Sequence, residues 1–226
     1  MQIKRLLIIP ARSGSKRIKN KNFKKFKGKP IISYSILTAL KSKIFSKIVI
    51  STDSRKYLKY LMKFNVNISL RSKKLSNDDA TIESVMRNVL SEYDELGNNF
   101  HEIWSLAPCS PLIKSYDLLK ASRLMKKYKK KIILPVSEYP APIEWAFKLV
   151  KNKKLIPLKK NFYKIRSQDL PKSYFDTGNF VAIPAFYFKK KNINFDKNYL
   201  GLEIPKHRSI DIDDLDDWRL AESLYK

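Results

Sequence analysis

Four short apolar runs, Leu6-Leu7-Ile8-Ile9, Lys47-Ile48-Val49-Ile50-Ser51-Thr52, residues 103–106 and residues 132–136, are separated by segments with the periodicity of helices. Short continuous runs of this kind suit strands buried on both faces, and the intervening helices supply the cover. In residues 80–96, Ile82, Val85, Met86, Val89 and Leu90 fall at i, i+3, i+4, i+7 and i+8, one face of a helix. Helices are also expected over 31–40, with Pro30 in the first turn, over 54–64 and over 115–129, and a further strand over 66–70. Strands alternating with helices predict an α/β fold with a mostly parallel sheet flanked by helices. Ligands of such sheets bind beyond the carboxyl ends of the strands.

From Pro140 the pattern changes. Residues 145–150 and 155–156, separated by Lys151-Asn152-Lys153-Lys154, read as a β-hairpin, and residues 178–183 as one more strand. We expect a single domain over 1–226 with an arm at 140–175, since no linker or repeat marks a boundary. Trp145 and Trp218 are expected in the core, His207 at the surface.

The 226 residues carry a net charge of +26, which is also the footprint of a nucleic-acid binder. The lysines are spread along the chain, however, with runs such as 126–131 and 189–191 at element ends, and no nucleic-acid-binding module accompanies them. One cysteine, Cys109, forms no internal disulfide, and with two histidines there is no zinc spacing. Cys109 reads as a small core residue. The apolar run at 6–9 is too short for a signal peptide, and none approaches the roughly 18 residues that span a bilayer. A cytoplasmic protein without membrane contact is expected.

The first strand leads into Ala11-Arg12-Ser13-Gly14-Ser15-Lys16-Arg17-Ile18-Lys19-Asn20-Lys21-Asn22. Gly14 permits close backbone approach, Ser13 and Ser15 add donors, and Arg12, Lys16 and Lys21 supply charge, a composition suited to a triphosphate. Neither G-x-x-x-x-G-K-[ST] nor G-x-G-x-x-G is present, which argues against a P-loop kinase and a dinucleotide enzyme.

At the other end of the chain, Ser209-Ile210-Asp211-Ile212-Asp213 precedes a further acidic run. In an extended strand Asp211 and Asp213 share one face, where paired carboxylates suit Mg²⁺. Alternatively the acidic run belongs to a helix start, with Asp213 or Asp214 as the cap and Asp216 and Asp217 in the first turn of a last helix.

The basic loop resembles the R-x-G-S-K-R-[IL]-P-x-K-N signature of the sugar-acid cytidylyltransferases, the acylneuraminate group, with Lys19 in place of the usual proline. Further blocks match in order: Gly28-Lys29-Pro30-Ile31-Ile32, Ile50-Ser51-Thr52-Asp53, Leu70-Arg71 followed by Asp78 and Thr81, Pro108-Cys109-Ser110-Pro111-Leu112, and 209–213. The middle block has Ala107 and Ile113 where acylneuraminate enzymes usually carry glutamine and arginine. Pro140-Ala141-Pro142-Ile143, Arg166-Ser167-Gln168-Asp169-Leu170-Pro171 and Tyr174-Phe175-Asp176-Thr177-Gly178 look more like the pseudaminic acid branch.

The resemblance implies a Rossmann-like nucleotidyltransferase fold. It also implies a reaction in which CTP and a nine-carbon sugar acid give a CMP-sugar and pyrophosphate, with Mg²⁺ as cofactor. On that basis Ala11, Arg12, Ser13, Gly14, Ser15, Lys16, Lys21, Asn22, Arg71, Asp78 and Thr81 are expected around the nucleotide, with Arg12, Lys21 and Asp211 catalytic and Asp211 and Asp213 on the metal. Ala107, Arg166, Gln168 and Asp176 are expected around the sugar acid, although Asp176 beside Gly178 can equally make a turn. Sialic and legionaminic acids remain alternative substrates. Dimers whose arm completes the neighbour's site are common in the family, and the hairpin near Trp145 is placed to serve as that arm.

Overall fold

The computed structural model describes residues 2–72, 75–76, 80–189 and 198–226. In chain order it begins with β1 (Arg5–Pro10), β2 (Lys25–Phe26), β3 (Lys29–Pro30), α1 (Ile32–Ser42), β4 (Lys47–Thr52), α2 (Leu58–Leu61) and β5 (Asn67–Leu70). Next come α3 (Ile82–Glu95), β6 (Glu102–Leu106), α4 (Ser115–Lys127) and β7 (Ile132–Glu138). The remainder is β8 (Phe147–Leu149), β9 (Leu155–Pro157), β10 (Tyr174–Asp176), β11 (Phe180–Pro184), β12 (Tyr199–Glu203) and α5 (Leu215–Leu224).

The main sheet runs β10-β7-β11-β6-β1-β4-β5, with β12 on β7. Pairing is parallel for β6-β1-β4-β5 and for β7-β12, while β10 and β11 run antiparallel to their neighbours. Flanking helices and a mostly parallel sheet make this the α/β, Rossmann-like architecture that the alternation of elements implies.

Successive residues of β1 face opposite ways. Leu7 and Ile9 join Ile36, Trp104 and Leu118 in one cluster, under α1 and α4. Leu6 and Ile8 join Val85, Met86 and Val89 in another, under α3. Because β1 is sealed on both sides, the loop that leaves its carboxyl end has a fixed origin.

One irregularity lies beside that loop. β12 occupies one edge of β7 through Tyr199↔Ile132 to Glu203↔Val136, so β10 and β11 share the other. Their registers, Asp176↔Val136 and Ala182↔Ile133, differ by three residues, so the chain bulges against β7 around Gly178, while Thr177 N still donates to Pro135 O at 3.0 Å and Asn179 O accepts from Ala107 N at 2.7 Å. Bulges of this kind re-aim side chains, often next to active sites.

Several expectations need correction. Pro30 lies in a short hairpin and not in the first turn of α1, because Lys27 and Gly28, with φ of 43° and 88°, turn the chain so that Lys25 pairs with Pro30. The helix expected over 54–64 is a 3-10 turn, Arg55–Tyr57, followed by the single turn α2. Within α2 only Leu61 is buried, too little packing to sustain a longer helix. Trp145 is half-buried in the 140–175 region, its indole donating to Phe162 O at 3.1 Å, whereas Trp218 is in the core. Residues 209–213 belong to no sheet. They run as an unpaired segment, with Ile212 fully buried and Ile210 packed against the same cluster.

Candidate active site

The loop after β1 is shaped mostly by its own hydrogen bonds. Ala11 N donates to Ser51 O at 2.8 Å, holding the loop beside β4. Ser13 donates twice to the Asp53 carboxylate, from its backbone N and its Oγ, each at 2.7 Å. Asn20 then takes a left-handed conformation, φ 54°, and a 3-10 turn, Lys21–Phe23, follows. Its buried Asn22 donates from Nδ2 to Arg12 O at 2.8 Å and accepts from Cys109 Sγ at 3.2 Å. Asn22 and Ser13 therefore brace the loop. Cys109 is a core residue whose thiol burial pushes up to about 12, which leaves it inert as a nucleophile.

Two cavities open on this loop and meet at Pro10, Arg12 and Pro108. One, of about 380 Å³, is lined by Ser15, Lys16, Arg17, Lys21, Asn22 and Asp213. The other, of about 370 Å³, is lined by Arg71, Ile82, Ala107, Asp176, Gly178 and Phe180 among others. The first is basic and polar, suited to a polyphosphate, and the second has the apolar walls and few convergent polar groups of a base and sugar pocket. Arg71 is fixed by Nε and Nη2 bonds to Ser51 O at 3.2 and 2.8 Å and by an Nη1 bond to Leu75 O at 3.4 Å. Burial lowers its pKa to about 10, against the opposing pull of Asp53. It remains a cation at neutral pH.

The 209–213 segment reaches the same place from the far end of the chain. Upstream it is anchored by Arg208, whose guanidinium forks onto the buried Asp117 carboxylate in α4, with Nη2 to Oδ1 at 3.1 Å. Downstream, Asp217 Oδ2 accepts from Asp213 N at 2.9 Å and Asp214 N at 3.1 Å, while Asp214 Oδ1 accepts from Asp216 N and Asp217 N. This reciprocal capping box starts α5, the role expected of Asp214, Asp216 and Asp217. Between the anchors, Lys21 Nζ donates to Ile212 O at 2.6 Å, and Arg17 Nη2 lies 2.7 Å from Asp213 Oδ1. Loop and segment are thus joined directly.

Asp211 faces the bulge. A Cβ placed on Gly178, where φ is +66°, would sit 3.2 Å from Asp211 Oδ2, so glycine serves both the backbone conformation and the close approach. Loss of water contact and the neighbouring Asp213 carboxylate push the Asp211 pKa up, with Lys21 and Arg17 opposing. Among the described residues no hydrogen bond reaches that carboxylate. Two adjacent carboxylates, one raised by burial and repulsion, fit a hard divalent cation. Among the described residues no cluster of three or more His, Cys, Asp or Glu is present, so further ligands would come from bound phosphates.

Of the other expected residues, Thr81 caps α3, its Oγ1 accepting from Ser84 N at 3.1 Å. Ala107 and Asp176 line the apolar cavity, and Asp176 Oδ1 also accepts from Gly178 N at 2.9 Å, so it makes the turn and borders the cavity at once. Gly14 is exposed, with open space where a side chain would project. Arg166 and Gln168 are exposed in and beside a 3-10 turn, Ser167–Asp169, and line neither cavity; Gln168 borders a third, of about 350 Å³, with Tyr139 and Lys172. Asp78 lies outside the described residues. The residues not singled out beforehand are Arg17, Asp53, Asn179 and the Arg208 anchor. Arg17 was within reach of the charge argument, whereas the rest depend on contacts distant in sequence.

The model of the family described as "Cytidylyltransferase" matches residues 6–206. The pseudaminic acid cytidylyltransferase of Campylobacter jejuni subsp. jejuni serotype O:2 is 33% identical over 225 residues, 99% of this chain and 97% of that protein. The N-acylneuraminate cytidylyltransferase of Escherichia coli O18:K1:H7 is 28% identical, across 98% of this chain and 52% of that longer protein. Among solved structures, a CMP:2-keto-3-deoxy-manno-octonic acid synthetase complexed with CTP superposes with a TM-score of 0.71 at 14% identity, covering 98% of each chain. At that identity the likeness speaks for the fold.

Proposed function

Because the chain belongs to the cytidylyltransferase family and is a nucleotidyltransferase, we propose that it joins CTP to pseudaminic acid, giving CMP-pseudaminic acid and pyrophosphate. The observation that carries this reading is the meeting of loop 11–22 with the Asp211-Asp213 segment at the basic cavity, beside a second cavity of nucleoside size. The anomeric hydroxyl of the sugar acid attacks the α-phosphorus in line, the bond to the pyrophosphate oxygen breaks, and the hydroxyl proton is lost to solvent. Positioning and charge stabilisation provide most of the rate. Arg12, Lys16 and Lys21 hold the phosphates, and Lys21 faces charge building on the leaving group. Arg71 and Thr81 border the nucleoside, and Ala11, Ser13 and Asn22 keep the loop in shape.

Asp211 and Asp213 would hold Mg²⁺, and when bound it would supply charge neutralisation at the phosphates and a lowered pKa for the attacking hydroxyl. Ala107 and Asp176 stand in the wall of the nucleoside cavity, where the sugar acid would meet the nucleotide. Arg166 and Gln168 do not, and Phe147, Leu149, Leu155, Leu158 and Tyr163 expose apolar surface nearby. Both features support a homodimer in which the 140–175 arm of a single 1–226 domain carries Arg166, a carboxylate fork, to the partner's site. Sedimentation should give a dimer with an interface of about 1,200 Å² or more, and a monomer at micromolar concentration would contradict it. Among the described residues no helix is long and apolar enough to cross a membrane. The use of CTP and the lone thiol support a cytoplasmic site of action.

Pyrophosphate release should be measured with CTP, Mg²⁺ and each of pseudaminic, legionaminic and sialic acid. Pseudaminic acid should give the highest kcat/KM. A clear preference for another acid would move the substrate assignment. Salt-sensitive nucleic-acid binding without pyrophosphate release would favour the reading that the net charge of +26 alone invites.

A further inference from the structure

Asp213, one of the two carboxylates assigned to the metal, is itself engaged by two side-chain cations. Arg17 Nη2 lies 2.7 Å from Asp213 Oδ1, and Lys21 Nζ lies 3.6 Å from the same oxygen. Arg17 and Asp213 also line the basic cavity together. The two partners differ in freedom. Asp213 is pinned by the buried Ile212 before it and by its own N–H bond to Asp217, whereas the Arg17 side chain is 66% exposed and can swing without moving the loop, whose next residue, Ile18, is buried. An exposed pair of this kind is weak, while a guanidinium on a phosphate forms charge-assisted, bidentate bonds.

We propose that Arg17 is a positioning residue that exchanges partners: it neutralises Asp213 until a nucleoside triphosphate draws it onto its phosphates, freeing Asp213 for the divalent cation. The inference rests on the nucleotidyltransferase reading of this cleft. It makes cation binding and nucleotide binding mutually favourable, since whatever removes Arg17 from Asp213 helps the cation, and by linkage the reverse holds. The proximity of Lys21 to Asp213 makes the exchange local, with one cation staying at the carboxylate while the other leaves.

The test uses nucleotide-free protein, with Mn²⁺ affinity measured by titration calorimetry or electron paramagnetic resonance and CTP affinity measured in chelator. Arg17→Gln should bind Mn²⁺ about two- to five-fold more tightly than wild type, the size expected for release of one exposed ion pair. The same variant should bind CTP about ten-fold more weakly, having lost a charge-assisted contact. Lys19→Gln removes equal charge from the same loop, forms no ion pair among the described residues, and should change Mn²⁺ affinity by less than about 1.5-fold because exposed charges without a partner are screened. Unchanged or weaker Mn²⁺ binding in Arg17→Gln, an equal gain in Lys19→Gln, or unaltered CTP affinity in Arg17→Gln overturns the exchange while leaving the nucleotide reading intact. A wild-type protein that binds no CTP overturns both.

Discussion

Lys21→Ala should lower kcat by about 100- to 1,000-fold at saturating CTP, the loss typical of removing one preorganised charge-stabilising group. The side chain is only 22% exposed, and its Nζ is held between Ile212 O at 2.6 Å and Asp213 Oδ1 at 3.6 Å. That places one cation at the junction of the basic loop, the acidic segment and the phosphate cavity. Negative charge on the departing pyrophosphate develops during reaction, so an ammonium fixed there gains most in the transition state. Steady-state pyrophosphate release checks it. If only KM rises, Lys21 binds ground and transition states alike and is not the group that stabilises the leaving charge.

Asp211→Asn should reduce turnover with CTP and Mg²⁺ by about 1,000-fold and leave the melting temperature unchanged or higher, because in the proposed site this carboxylate would hold the metal that stabilises transition-state charge, while in the fold it contributes repulsion. The sign follows from the raised pKa. The folded protein holds the Asp211 proton more tightly than the unfolded chain does, so stability contributed by that proton is present at low pH and lost as pH rises through the folded value. At neutral pH the ionised carboxylate, beside Asp213 and short of water, costs stability that the amide would not. Asparagine also preserves the shape packed against Gly178. Turnover and a thermal melt on one preparation check both halves. Near-normal turnover would remove Asp211 from the metal, and a large fall in melting temperature would make its role structural.

The parts of the fold that sequence patterning revealed are those whose burial is two-sided. β1, β4, β6 and β7 are apolar runs because helices cover both faces, and α3 is legible because Val85, Met86, Val89 and Leu90 are buried together. β12 is hard to see in the sequence because it lies at the sheet's edge with three of its five residues exposed, and Gly201 breaks its run where any Cβ would come within 2.8 Å of Val136. β10 is three residues long, its register visible only against β7. The 209–213 segment looks like a strand because Ile210 and Ile212 alternate with the two aspartates, yet among the described residues no strand pairs with it.

At the site, chemistry was more legible than contact. Basic side chains after β1 and paired carboxylates near the carboxyl end advertise phosphate and cation by composition. Which basic side chain meets which carboxylate does not follow from composition: Arg17 and Asp213 are 196 residues apart, and Ser13 and Asp53 are 40. Ser13 looked like a phosphate donor and is instead committed to Asp53, while Arg166 and Gln168 lie away from both cavities of their own chain.

The cleft between loop 11–22 and Asp211-Asp213 is proposed to transfer a cytidylyl group to a sugar acid. Phosphorus NMR of the protein with CTP, Mg²⁺ and pseudaminic acid tests it in one measurement. A sugar-linked phosphodiester and pyrophosphate should appear in equal amounts and be lost together in Lys21→Ala and Asp211→Asn. Inorganic phosphate alone, or no change in the CTP resonances with any nine-carbon sugar acid, would contradict it.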